Sequence, residues 1–199
     1  MPSSSHPTLI PLPAQLRSAR VLLRPLVAED AAAVFAAIDE SRALLRSWME
    51  WVDKHQTVDD TLDYCLQCQA RWLLRSDLTL GIFASETGRF LGGTGFHTPD
   101  WTVRVFEIGY RIRASAEGHG YVGEAVRLLV ELAFRDLEAR RVAIFCDARN
   151  KRSQRVAERA GFVHEGTMRN DSLSTGGEIR STLVFSLIPA DYARLVDLP

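Results

Sequence analysis

The chain has 199 residues, 46% hydrophobic and 25% charged, with 24 basic against 25 acidic side chains and a formal net charge of −1. That is enough for one domain with its own core, and the balanced charge excludes a broad electrostatic footprint for nucleic acid. The three cysteines, Cys65, Cys68 and Cys146, lack disulfide-framework spacing, and no apolar run reaches membrane-spanning length, which excludes a stapled secreted module and a spanning helix.

The first eighteen residues carry four prolines and three early serines. They lack the basic start and continuous apolar run of a signal peptide, so they read as a flexible arm, 1–18, ahead of a single domain, 19–199. With the odd cysteine count, this predicts a reducing cytoplasm and no membrane partner.

VLLRPL (Val21 to Leu26) reads as a first strand stopped near Pro25, and Glu29 and Asp30 open an alanine-rich helix. The segment Leu44 to Val52 carries Trp48 and Trp51, spaced by three. Asp59 to Arg75 is a second amphipathic helix, which sets Cys65 and Cys68 on one face as packed thiols rather than a zinc or redox pair. Leu78 to Glu86, Arg89 to His97 and Val103 to Arg113 form a three-strand meander. In its last strand Val105, Glu107 and Gly109 alternate with Phe106, Ile108 and Tyr110.

Val122, Ala125, Val126, Leu129, Val130, Ala133, Phe134 and Leu137 then recur at three- and four-residue steps, the stripe of a long amphipathic helix. An apolar strand (RVAIFCDA), a helix from Asn150 to Ala160 ended by Gly161, and a hairpin turning at Gly176 and Gly177 complete the chain. The order predicts one mixed α/β (α+β) layer structure with about seven strands.

EGHGYVGEA, Glu117 to Ala125, opens the long helix with Gly118, Gly120 and Gly123 in G-x-G-x-x-G spacing. One reading is a dinucleotide turn, with Asp147 ending the next strand as the ribose-binding acid. Against it, Ala114 to Glu117 separate the glycines from a strand that alternates instead of running apolar. A second reading is a coenzyme A pyrophosphate site, because glycines admit close approach and the first N–H groups of a helix attract anions. A glycine-rich connection with no ligand is the third.

The company of this loop resembles the GNAT acyltransferase superfamily, whose loop reads Q/R-x-x-G-x-G/A and whose next helix carries N-x-x-S and then G-F. Glu117 to Val122, Asn150 to Ser153, and Gly161-Phe162 hold those places. RVLLRPL, SWMEW, EIGY and Glu165-Gly166-x-x-Arg169 further resemble the branch that acetylates N-termini of ribosomal proteins. The likeness runs from about Arg20 to Leu187, and departs from the pattern at Glu117 and Val122. It implies a central, mostly antiparallel sheet with splayed middle strands and flanking helices.

The resemblance also implies acetyl-CoA as co-substrate and no metal. The pyrophosphate would meet Gly118, His119, Gly120, Tyr121, Val122 and Gly123, and the pantetheine arm would pair along Ile112 and Arg113. Val122 must then turn its branched side chain to the core, and Glu117 must avoid facing the phosphates. Asn150 caps the helix bearing Ser153, which would hydrogen-bond the sulfur and protonate the leaving thiolate; Ala157 stands where many relatives have a tyrosine. Glu107 is the first candidate base and His97 a second, with backbone N–H groups near Tyr110 to Ile112 for the oxyanion. Arg149, Lys151, Arg152 and Arg155 suit the 3′-phosphate or a solvated face, and Trp48 and Trp51 the acceptor cleft or plain packing.

Direct acetyl transfer to a protein N-terminal amine leads, with acetylation of a polyamine or antibiotic amine next. A non-catalytic coenzyme-A-binding module and a nicotinamide dehydrogenase are the rivals from other classes, and a homodimer stays open.

Overall fold

A computed structural model of the chain describes residues 6–196. In chain order the strands and helices are β1 Leu16–Arg17, β2 Val21–Pro25, α1 Ala31–Arg46, α2 Val58–Leu74, β3 Leu78–Ala84, β4 Phe90–Asp100, β5 Val105–Ile112, α3 Tyr121–Arg135, β6 Arg141–Asp147, α4 Lys151–Arg159, β7 Val163–Leu173, β8 Ile179–Leu187 and α5 Pro189–Val196. They build one eight-stranded sheet in the order β1-β2-β3-β4-β5-β6-β8-β7. Among the described residues only β5 and β6 run parallel.

The count exceeds the expected seven because β1 forms inside the segment read as an arm. Leu16 and Arg17 pair with Leu23 and Leu22, Ile10 is buried, and Arg75 donates to the Ile10 carbonyl at 3.1 Å. The apolar side chains of Ile10, Leu12 and Leu16 pack on the core, which docks a stretch that proline content alone marks as loose. Residues 1–5 of that stretch lie outside the described residues.

The alternation of β5 sends its side chains to two different packing layers. Phe106 and Ile108 join the cluster under α3, with Ala125, Val126, Leu129 and Ala133. The other face of the sheet meets α1 and α2 chiefly through β3 and β4, where Val34, Ile38, Cys65 and Cys68 pack with Phe83 and Phe90. Burying side chains of this size contributes roughly 1.5–3 kcal/mol each. Thr57 and Asp60 exchange hydrogen bonds at the start of α2, a reciprocal cap that fixes where the helix begins.

β5 and β6 pair only through Val105↔Arg141, Phe106↔Val142 and Glu107↔Ala143. Beyond that rung β5 stays with β4 as far as Ile112, while β6 stays with β8 as far as Asp147. The two strands therefore part like a V. The inner edge of β5 from Ile108 onward lacks a strand partner, and such an edge calls for another acceptor and donor row.

Candidate active site

The V opens into a cleft of about 690 Å³. Ile108 to Ile112 line it from β5, Ile144 to Asp147 from β6, and Asn150, Ser153 and Val156 from α4. Trp48 and the turn Leu173 to Thr175 form parts of its rim. Trp48 is 38% exposed, whereas Trp51 is half-buried and edge-on to His55 at 5.5 Å.

At the glycine loop, Gly118 and Gly120 have φ of 77° and 80°. Those left-handed values favour glycine over any β-carbon-bearing residue. Gly123 differs, since it lies in the first turn of α3 with φ outside the left-handed range. The third glycine thus belongs to the helix and not to the loop. Among the described residues no side chain caps α3, so its first N–H groups stand ready for an anion. His119 and Tyr121 stack at 5.8 Å beside the loop.

The loop is braced from the N-terminal segment. Arg20 forms an ion pair with Glu124 and donates to the His119 carbonyl at 3.1 Å. Ser18 donates to the same carboxylate at 2.7 Å. Burial works against the Glu124 charge, yet the bonds from Ser18 and Arg20 bring its carboxyl below the ordinary value.

The two departures from the resembled pattern have local answers. Glu117 lines the cleft, but Arg152 reaches both of its carboxylate oxygens at 2.7 Å. The negative charge is met within the protein. Val122 packs against the core cluster as expected, while also touching the cleft wall. Within the basic cluster, Arg149 pairs with Asp147 and Glu178 and Lys151 donates to Gln154 at 3.3 Å. Arg149 and Arg152 are therefore tied to carboxylates of the chain itself.

Ser153 sits in the first turn of α4, its N–H donating to the Asn150 side chain at 3.0 Å. Its hydroxyl lies 2.9 Å from the Tyr110 hydroxyl, and Tyr110 also approaches the Ser153 carbonyl at 3.1 Å. Burial pushes the Tyr110 phenol well above its usual value, so it stays an O–H donor at neutral pH. Two hydroxyls thus face the cleft as a linked pair. EIGY marked the strand in the sequence, but the tyrosine's partner lies 43 positions away. Cys146 lines the cleft beside them, and burial pushes its thiol up.

Ile112 lines the cleft. Arg113 does not bring its side chain there, because the guanidinium is ion-paired with Glu40 and bonded to the Phe90 carbonyl at 3.2 Å. That pairing pulls the Glu40 carboxyl down to about 2.

A second cavity, of about 770 Å³, lies on the α2 side of the sheet. Trp51, Gly109, Tyr110 and Arg111 line both spaces, so the two meet at β5. His97 and Asp77 stand on its wall, with the ring Nδ1 2.9 Å from Asp77. Burial disfavours the Asp77 charge, but bonds from His97 and Thr79 bring its carboxyl below the usual value. An ionised Asp77 accepts from Nδ1–H, which leaves Nε2 as the proton-accepting nitrogen of the neutral ring. That ring lies over Gly109, where a β-carbon would come within 2.6 Å of it.

Glu107 faces His97 across the β4–β5 pair. It lines neither cavity. Burial raises its carboxyl, opposed by the nearby imidazole. Its cross-strand neighbour His97 lines the second cavity. Among the described residues, no group of three or more His, Cys, Asp or Glu side chains gathers as a metal site, and no helix is long and apolar enough to cross a membrane.

Residues 20–163 match the family model described as an acetyltransferase (GNAT) domain. YdaF of Bacillus subtilis (strain 168), provisionally named a ribosomal N-acetyltransferase, is 30% identical over 174 residues, covering 86% of this chain and 93% of that protein. The fold is also that of RimL, a ribosomal L7/L12 α-N-protein acetyltransferase solved with coenzyme A, at TM-score 0.82, 20% identity, 87% of this chain and 97% of that one. It is likewise that of the microcin C7 self-immunity acetyltransferase MccE, solved with acetyl-CoA and AMP, at TM-score 0.80, 22% identity, 86% of this chain and 93% of that one. The splayed strands, the glycine loop on α3 and the match over most of the chain lead to one conclusion: the protein belongs to the GNAT family and is an acetyl-CoA-dependent N-acetyltransferase.

Proposed function

We propose that the protein moves the acetyl group of acetyl-CoA to the N-terminal amine of a protein, in one direct step. The ribosomal-protein names of its relatives make a ribosomal protein the first acceptor to try. The observation that carries the reading is the meeting of two cavities at Gly109 to Arg111 of β5. One suits the thioester arm and the other an incoming amine. The protein's three free, buried cysteines suit a reducing cytoplasm.

On this reading the pyrophosphate rests on the loop at Gly118 and Gly120, and the pantetheine arm pairs with the open edge of β5 at Ile112 and Arg113. The amine nitrogen attacks the carbonyl carbon, the C–S bond breaks, and the thiolate takes the proton of Ser153, which Tyr110 supports. The proton lost by the amine passes to Nε2 of His97, with Glu107 behind it as a second acceptor. Backbone N–H groups near Tyr110 to Ile112 steady the oxyanion. An α-amine has a reference pKa near 8, roughly two units below lysine, and is the easier nucleophile to deprotonate.

Mass spectrometry of cellular protein N-termini, with and without the protein, tests the acceptor. A set of N-termini losing acetylation in its absence supports the reading, and unchanged N-termini reject it.

A further inference from the structure

Arg111 is held in a way that its neighbours on β5 are not. Its guanidinium carbon lies 4.7 Å from the Trp51 ring centre and 5.6 Å from that of Tyr64. Gly93 forms the floor, where a β-carbon would press on the guanidinium at 3.0 Å. Such a cage fixes the plane of the group before anything binds. Its hydrogen bonds are few: two long ones, at 3.4 Å, both to the Tyr64 hydroxyl.

No ion pair involves Arg111 among the described residues. Arg113, two positions along, is tied to Glu40. The carboxylates around the same cavity are engaged elsewhere. Asp77 serves His97 and Thr79, Asp60 serves the cap of α2, and Asp63 accepts from Gln67 at 2.6 Å. Asp59 sits in the first turn of α2, where the helix dipole favours it. A half-buried guanidinium with spare donors and no anion is costly unless a ligand supplies one.

We infer that Arg111 is the anchor for a carboxylate carried by the acceptor, close to the amine that is acetylated. The inference rests on the reading that the second cavity takes the acceptor. The planar fork of Arg111 presents two parallel donors to a carboxylate. It follows Gly109 and Tyr110, where the two cavities meet, so the carboxylate lies within about two residues of the amine, at roughly 3.3 Å per extended residue. Two sources fit: an Asp or Glu side chain at the start of a protein, or the α-carboxylate of a free amino acid.

The test uses C-terminally amidated tetrapeptides with Asp or Glu at position one or two, their Asn or Gln counterparts, and free glutamate. Calorimetry with coenzyme A present reads binding, and thiol release from acetyl-CoA reads turnover. Wild-type protein should favour the acidic peptide by about tenfold, the scale of one charge-assisted pair. In R111Q that ratio should fall to about one, and R111K, which keeps the charge but not the fork, should fall between. Peptide preference over glutamate identifies a side-chain carboxylate, and the reverse identifies an amino acid. Equal binding of acidic and amide peptides by wild type overturns the anchor, as does an R111Q ratio unchanged from wild type. Turnover without preference rejects the anchor alone. Preferential binding without turnover supports the anchor and rejects acetyl transfer.

Discussion

Ser153 and Tyr110 share one hydrogen bond on the wall of the cleft, and each is assigned part of the same proton. Ser153→Ala should lower kcat by about 10²-fold with a smaller effect on the KM for acetyl-CoA, the pattern of a group acting on the transition state. Tyr110→Phe added to it should cost little more, since the pair acts as a unit; additive losses in steady-state kinetics would separate their roles. For the base, His97→Gln should lower kcat/KM by about 10²-fold while leaving acetyl-CoA binding unchanged in calorimetry. If Glu107→Gln carries that loss and His97→Gln does not, the carboxylate is the base instead. Glu107 also predicts a stability effect. Its carboxyl is raised above the value in the unfolded chain, so its contribution is present below about 4.3 and is lost as pH rises through the native value. Glu107→Gln should therefore be more stable than wild type at pH 7, with the gain vanishing toward pH 4 in denaturant melts.

At the scale of elements, the glycine loop and its brace govern cofactor affinity. Gly118→Ala or Gly120→Ala forces a β-carbon into left-handed backbone, a strain on the order of 1 kcal/mol. Each should raise the KM for acetyl-CoA more than it lowers kcat in initial-rate assays. Glu117→Gln tests the departure from the usual pattern. It frees Arg152, 2.7 Å from the lost charge, to face the pyrophosphate, so coenzyme A should bind more tightly and with a steeper salt dependence in calorimetry. Weaker binding would give the Glu117–Arg152 pair a direct part in shaping the loop.

The same scale shows what periodicity could reveal. The helix of Val122 to Leu137 and the alternation of β5 are legible because each has a steady period over many residues. β1 is not, because two residues among prolines carry no period, and α5, with 8 residues, is too short to repeat its pattern. The meeting of His97 with Asp77 and of Tyr110 with Ser153 depends on sheet register and on the placement of α4. Neither is written in local spacing. Arg111 could be assigned a face, but its aromatic cage draws on α2 and on Trp51, distant in the chain.

For the whole molecule, the sheet is a single frame whose parallel pairing of β5 with β6 ends at Glu107, and the first cavity opens at that break. A ligand that fills the V binds only the folded chain and should raise its melting temperature. Acetyl-CoA should do so and NAD should not. The most direct test of the central claim measures thiol release from acetyl-CoA together with mass analysis of the acceptor, across peptide N-termini and small amines. One free thiol should appear for each N-acetylated product, and both should be lost in Ser153→Ala with Tyr110→Phe. Tight acetyl-CoA binding with no acetylated product from any peptide or amine would contradict that claim.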